Sequence, residues 1–428
     1  MPKRGGQVGG CMRIGGWIGA SRWVLGMLVL LSSNLGAGQL SSPDVERLTA
    51  EAEQWWAQGR PEQALRKFGE ALARARELGE RGHEWRILDR IGRIYLEREQ
   101  FQPALEHFQQ GLKVALDLGD RPAQAVELVA IGEVYTLLQQ PQNAVKTYEA
   151  LLALEEERQD RLGQWHAYYG LGFAHKANGA PELAIPYVEQ ALVLARALND
   201  QSLELASLQE LEADYARLGD YTQVARYSEE ILQLARSIDD QRLAAEKLAT
   251  AGYAYEQLGQ GQRAAAQYRS ALLAYRDLHD AHGEWRALDD LGRVTLKQGD
   301  TAQAVSYFQQ ALTVAQRSGA RADQVLALEH LAGALRGAKE YSKALPHYQE
   351  ALKTARAGKL LEYEWLVLSD LAGMYAEMGD AKRALTHYQQ ALKLVQQLGD
   401  KEAEKQVRDA MQRLGKQPGA EGKPARKR

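Results

Sequence analysis

Few residues of this 428-residue chain are of a type and spacing that could do covalent or metal chemistry. His279 and His282 stand three apart, the separation that can bring two imidazoles to one metal ion, but they fall at a break between helical segments and no third ligand accompanies them. His107, His347 and His387 occupy one position of a longer repeat, 240 and 40 residues apart, which marks a recurring surface position and not a cluster. No GxxxxGK[ST] phosphate loop, HExxH zinc pair or GxSxG nucleophile elbow occurs, and the only cysteine is Cys11. The expectation is a protein that is not an enzyme, with no catalytic residue, cofactor or metal. What remains is chemistry of recognition. Arg86, Asp89 and Arg93 recur 200 residues later as Arg286, Asp289 and Arg293, and between the two sets stand Val129, Tyr169, Phe173 and Tyr253. Aromatic anchors and arginines are the side chains that dominate interface energies.

The elements that position these residues are set by a strict period. Leucine stands at 72, 112, 152, 192, 232, 272, 312, 352 and 392, nine times at a step of 40. A repeat of that length indicates stacked supersecondary units. Alanine keeps the same step from Ala64 to Ala384, broken only by Val224, and twelve residues earlier runs a glycine or alanine column from Ala52 to Ala372, broken only by Glu212. Leu88, Leu128, Leu208 or Leu288 lies four before that small residue and often a tyrosine such as Tyr95 or Tyr135 three after it, so each set forms one helical stripe. A second stripe carries Phe68, Phe108, Tyr148, Tyr268, Phe308, Tyr348 and Tyr388. Gly219-Asp220, Gly299-Asp300 and Gly379-Asp380 separate the stripes, glycine ending one helix and aspartate capping the next. Pro61, Pro141 and Pro181 fit the first turn of second helices. Trp85, Trp165, Trp285 and Trp365 continue the buried stripe and read as core wedges. Unit 5 departs from the columns at Glu212, Val224, Ser228 and Ile231, which predicts a local weak point across residues 203–237.

With Leu288, Leu291-Gly292, Ala304, Phe308 and Ala311 as one example, the pattern resembles the tetratricopeptide repeat family. The 40-residue step is similar to the long-helix subclass of kinesin light chain and spindle-orientation adaptors. The resemblance covers about residues 42–400. It implies an all-α fold, a right-handed superhelical α-solenoid of nine helix–turn–helix units at 39–400 with a capping helix at 401–414. It also implies that first helices line a concave groove, whose exposed positions would include Arg86, Asp89, Arg93, Val129, Tyr169, Phe173, Tyr253, Arg286, Asp289 and Arg293. The aromatic middle would hold a peptide or protein segment while the arginines orient its acidic groups. The competing readings are that Asp89–Arg93 and Asp289–Arg293 are i,i+4 pairs that satisfy each other and that the aromatic residues are buried against the next unit. The carboxylate clamp of tetratricopeptide co-chaperones is absent, its positions holding Asp89, Val129 and Tyr169, then Arg93, Glu133 and Phe173.

Residues 1–38 carry Lys3, Arg4, Arg13 and Arg22, no acid, an apolar run from Trp23 to Leu31 and the small residues Gly36-Ala37-Gly38. This is the pattern of a secretory signal peptide, with an uncleaved membrane anchor as the alternative and Met12 as an alternative start. Residues 415–428 are rich in Gly, Pro and Lys/Arg and predict a disordered basic tail. The formal charge of −3 becomes −7 for residues 39–428, and an acidic array argues against nucleic acid, whose phosphates need clustered Lys/Arg. The sequence therefore points to an exported interaction scaffold of the cell envelope, periplasmic or secreted, with a partner protein or peptide and self-association open. The second reading is a membrane-anchored or soluble peptide-sensing regulator.

Overall fold

Between residues 59 and 399 the backbone adopts a positive φ once every 20 residues, at ten glycines and at Glu99, Gln139, Gln159, Asn199, Asp239, His279, Lys339 and Lys359. At all of these turns but that of Gly319 the amide of the following residue reaches back to the carbonyl five before it, as Glu80 N does to Ala75 O at 2.8 Å. This closes the preceding helix with a left-handed cap. The next helix then begins at once. Nine aspartates on the residue after the turn, among them Asp120, Asp160, Asp220 and Asp300, accept a hydrogen bond from the first-turn amides of that helix. Pro61, Pro141 and Pro181 sit at N1, where a missing N–H costs nothing.

The computed structural model describes residues 42–415, and among these the chain is all helix and turn, without a strand. The first helices of the pairs are α1 (Pro43–Ala57), α3 (Arg81–Glu97), α5 (Arg121–Leu137), α7 (Arg161–Ala177), α9 (Gln201–Leu218), α11 (Gln241–Gln257), α13 (Ala281–Lys297), α15 (Arg321–Gly337) and α17 (Leu361–Glu377). The second helices are α2 (Pro61–Leu78), α4 (Phe101–Leu118), α6 (Pro141–Arg158), α8 (Pro181–Leu198), α10 (Tyr221–Ser237), α12 (Gly261–Asp277), α14 (Thr301–Ser318), α16 (Tyr341–Ala357) and α18 (Ala381–Leu398). α19 (Lys401–Gly415) closes the series by burying Ala403, Val407 and Leu414, and takes in Gly415, which the sequence assigns to the tail. The expected signal segment and the rest of the tail lie outside the described residues.

The chain divides into two compact units between Leu211 and Glu212, inside α9. Within each, helices adjacent in sequence pack together, and first helices of successive pairs also touch directly, α3 with α5, α5 with α7, α13 with α15 and α15 with α17. First helices are therefore covered on more sides than second helices, whose outer faces stay polar and exposed.

What fixes the distance within a pair is a match of ring against backbone. A Cβ on Gly92 would lie 2.6 Å from the Phe108 ring, on Gly132 2.6 Å from Tyr148, on Gly252 2.7 Å from Tyr268 and on Gly292 2.4 Å from Phe308. Those rings sit on the glycine backbone, and Phe68, Phe108, Tyr268, Phe308 and Tyr348 are at most 1% exposed. The same rule holds between pairs, where Gly283 meets Tyr275 and Gly163 meets Glu155. In unit 5 both partners change together. Glu212 stands in the glycine column and Ser228 in the ring column, and the Ser228 hydroxyl donates to Glu212 Oε1 at 2.5 Å while Lys247 pairs with the other oxygen. At Glu212 and Ser228, then, a polar contact stands in place of ring packing.

The tryptophans read as wedges are buried at 85, 165 and 285, and Trp365 is half-buried against the same core. Trp165 donates its indole N–H to Ser207 Oγ at 3.1 Å. The ring-on-glycine constraint predicts non-additivity. Gly292→Val should cost about 1–3 kcal/mol by overpacking and Phe308→Ala about 3–5 kcal/mol by cavity formation. The double variant should lose at least about 1 kcal/mol less than the sum in urea unfolding, whereas strict additivity would mean that the two residues do not share one space.

Candidate functional site

The first helices carry every residue expected at a recognition surface, and the structure separates them into two groups, one in each compact unit. Arg86, Asp89, Arg93, Val129, Tyr169 and Phe173 belong to residues 42–211, and Tyr253, Arg286, Asp289 and Arg293 to residues 212–415.

In the N-terminal unit the group is not uniformly open. Asp89 and Arg93 are each 3% exposed, and Arg93 Nε donates to both Asp89 carboxylate oxygens at 2.9 Å. Val129 is buried with Ala125, Ala167 and Leu171 in the core between α5 and α7. The expectation that these three face a partner does not hold. These three stand three before or one after the small column, where successive first helices are in contact and cover them. Arg86 is half-buried beside an open depression of about 400 Å³ between α1 and α3, lined also by Glu46, Thr49, Glu53, His83 and Arg90.

Tyr169 and Phe173 differ. They are half-buried on α7, and the i,i+4 spacing from Trp165 stacks Tyr169 on the indole at 4.6 Å and 16°, with Phe173 tilted at 59° and 5.0 Å beyond it. Lys176 Nζ lies 4.5 Å from the Phe173 ring centre and pairs with Glu210 of α9. The result is a continuous aromatic strip along one helix, anchored by a buried indole and ended by a cation over a ring face.

In the C-terminal unit Arg286 is exposed, but Asp289 is buried and Arg293 half-buried in an ionic ladder that crosses from one first helix to the next. Glu256 of α11 accepts from Tyr268 Oη at 3.1 Å, Lys297 Nζ at 2.5 Å and Arg293 Nη1 at 3.4 Å. Arg293 also holds Asp290 and, at 3.4 Å, Asp289. Asp289 Oδ1 lies 2.5 Å from His330 Nδ1 of α15, and Arg336 continues the ladder to Glu377 of α17 at 2.7 Å. Arg293 is therefore committed to carboxylates of its own chain, as the self-satisfying reading requires. Tyr253 is half-buried with its ring edge-on to Tyr221 at 5.8 Å, and burial with the Tyr221 hydroxyl pushes its own hydroxyl up to about 12.

His330 was not among the expected site residues, and Glu256, expected as an exposed groove position, is buried. The trace of these contacts in the sequence is a spacing of 41 between Glu256 and Lys297, Asp289 and His330, and Arg336 and Glu377. A second signal is an eight-residue spacing. Arg76, Arg196, Arg276 and Arg356 each donate from Nε to Glu84, Glu204, Glu284 and Glu364 at 2.8 Å, clasping each second helix to the following first helix. His279 occupies a left-handed turn, and His282 stacks on Trp285 with Nδ1 3.2 Å from Asp323. His107 and His387 lie against Tyr95 and Tyr375 and are half-buried.

Burial pulls the His330 imidazole down, but the Asp289 and Glu329 carboxylates reverse that and raise it to about 9. A raised folded-state value means that this stabilisation is full below the ordinary histidine range and is lost as pH rises through about 9. Replacing Asp289 with Asn should bring the His330 titration down by at least about one unit, read by NMR of the ring protons, and remove the alkaline loss of stability. An unmoved titration would show that Asp289 does not charge the ring.

A family model of the tetratricopeptide repeat matches residues 50–117, 242–317, 286–357 and 323–397, and a second model of the same description matches 127–162. Among solved structures the chain is similar to a signal transduction ATPase with numerous domains carrying a tetratricopeptide repeat sensor, from Pyrococcus horikoshii. The identity is 13% and the TM-score 0.49, covering 76% of this chain and 50% of that one. It is also similar to the apo form of the quorum sensor NprR from B. thuringiensis, with 16% identity, a TM-score of 0.43, and 82% and 99% coverage. A tetratricopeptide repeat protein from Parabacteroides merdae gives 16%, 0.39, and 67% and 100%. This chain spans about half the length of the Pyrococcus protein. No curated protein matches the sequence.

Proposed function

The chain belongs to the tetratricopeptide repeat family, and from that premise we propose that it is a non-enzymatic scaffold that holds a segment of a partner protein against its first helices. The observation that carries this reading is the strip of Trp165, Tyr169 and Phe173 on α7. Most large rings of the repeat columns are sealed over a backbone, while Tyr169 and Phe173 remain half-exposed on a face where burial would be easy to complete with smaller residues. A partner that covers them removes apolar area from water at roughly 25 cal/mol per Å². Asp89, Arg93, Val129 and Asp289 support that surface from below and do not touch the partner. Arg286, exposed on α13 at the position that Arg86 holds on α3, can meet acidic groups of a partner.

For location, the basic, acid-poor segment 1–38 with its apolar run supports export to the cell envelope, and the lack of cysteine after Cys11 is compatible with an oxidising compartment. A membrane-anchored or soluble peptide-sensing regulator is the second reading, in which the apolar run Trp23–Leu31 would serve as the anchor.

Two outcomes are expected. Tyr169→Ala with Phe173→Ala should keep the helical circular dichroism and lower affinity for a crosslink-identified partner by about 2 kcal/mol or more, on the order of 30-fold. Unchanged affinity would remove α7 from the binding surface. Amino-terminal sequencing of the protein recovered from its source should begin near residue 39, and a start at Met1 or Met12 would favour the anchor.

A further inference from the structure

The third pair, α5 and α6, carries a buried glutamate at each of its two interfaces, and neither has a counterpart in the repeat columns. Glu127 of α5 stands where five other units have Ile87, Ala167, Ala287, Ala327 or Val367 and three have Arg47, Ser207 or Lys247, and it is 0% exposed. It fits because residue 111 of α4 is glycine: a Cβ there would lie 2.3 Å from Glu127 Oε1, and the same column elsewhere holds mostly alanine. Neither carboxylate oxygen of Glu127 has a hydrogen-bond partner of normal geometry. Glu155 of α6 stands in an alanine column, is 2% exposed, and fits against Gly163 of α7, where a Cβ would lie 2.3 Å from its carboxyl carbon. Two glycine slots thus receive two carboxyl groups, one toward α4 and one toward α7.

We propose that the third pair is a proton-operated latch, in which Glu127 and Glu155 hold it against its neighbours while neutral and loosen it when they ionise. A buried carboxylate without hydrogen bonds is expensive, so the neutral form of Glu127 is the one that fits its sealed interface, while at Glu155 burial acts against the pair with Arg158 and outweighs it. The charged groups acting on Glu127 are both on α3. Asp89 opposes its ionisation, and Arg93, already bound through Nε to Asp89, favours it only in part, with the Trp85 indole on the same side. Among the described residues α4, α6 and α7 bring no further charge against it. On Glu155, Arg158 acts from the same helix, with Nη1 at 2.6 Å from both oxygens, and Asp160 opposes from the turn. α7 contributes only Gln164, whose side chain donates to the Glu155 backbone carbonyl at 3.1 Å. Burial is the largest influence on both groups. It raises Glu127 well above the carboxylate range and Glu155 to about 7.

The sign follows. With folded values above the unfolded ones, stabilisation is complete below the ordinary glutamate range and is lost as pH rises through about 7 and beyond. Because α5 carries Val129 and α7 carries Tyr169 and Phe173, loosening the third pair shifts the support of the aromatic strip. The latch itself does not depend on what that strip binds.

The test is hydrogen exchange of the full chain, corrected for the intrinsic rate, from about pH 5 to about pH 8.5, with infrared spectroscopy of the carboxyl groups at pH 7. The wild type should open across residues 101–177 on the order of tenfold or more often at the alkaline end, and should show a neutral-carboxyl stretch at pH 7. Glu127→Gln with Glu155→Gln should flatten the pH profile and remove that band. A flat wild-type profile, an unchanged slope in the double variant, or no neutral-carboxyl band in the wild type overturns the proposal. The wild-type measurements decide it even if the double variant does not fold.

Discussion

Two helices can lie close together over their full length only if bulk on one is answered by absence on the other. In this chain the requirement recurs at every step. Rings at 108, 148, 268 and 308 rest on glycine backbone at 92, 132, 252 and 292, and Tyr275 rests on Gly283. Because each first helix is gripped by its own second helix and by neighbouring pairs, a mismatch at one contact would be passed to the next. The exceptions obey the same rule with other chemistry. Glu212 and Ser228 exchange a ring for a hydrogen bond and a lysine, and Gly111 makes room for Glu127.

The ionic ladder adds a second kind of restraint. Each rung joins a residue to another some 34 to 41 positions later, as Arg336 does to Asp370 and Glu377. Buried or half-buried charges of this sort add little net stability over apolar packing, yet breaking one leaves a charge uncompensated. Sliding one pair along its neighbour by a single turn would break the rung between them, Glu256 from Lys297, Asp289 from His330 or Arg336 from Glu377. The ladder therefore favours one register among several that apolar packing alone would tolerate.

Much of this was legible before any coordinates. The 40-residue columns gave the helices, their pairing and the aspartate caps, because each of these depends on contacts inside one unit or on local backbone chemistry, and the wedges at Trp85, Trp165 and Trp285, because they continue the apolar stripe of their helix. The candidate surface was legible only in part. Tyr169 and Phe173 do lie half-exposed, but Asp89, Arg93, Val129 and Asp289 are covered by residues from a neighbouring unit, and a column within one repeat carries no record of what stands 38 or 41 positions away. The buried glutamates escaped for a related reason. A lone Glu127 reads as a solvated charge until Gly111 is seen opposite it.

The left-handed turns repeat every 20 residues, and at eight of them Glu, Gln, Asn, Asp, His or Lys stands in place of glycine. To the backbone, then, a first helix and a second helix are the same object, and only side chains tell them apart. Deleting one helix with its turn would leave the string of bends undisturbed while giving every later helix its partner's part, rings falling where bare backbone belongs. Lengthening or shortening such a chain without wrecking it must proceed by whole pairs, so the units of inheritance in this architecture are twice the size of the units of its geometry.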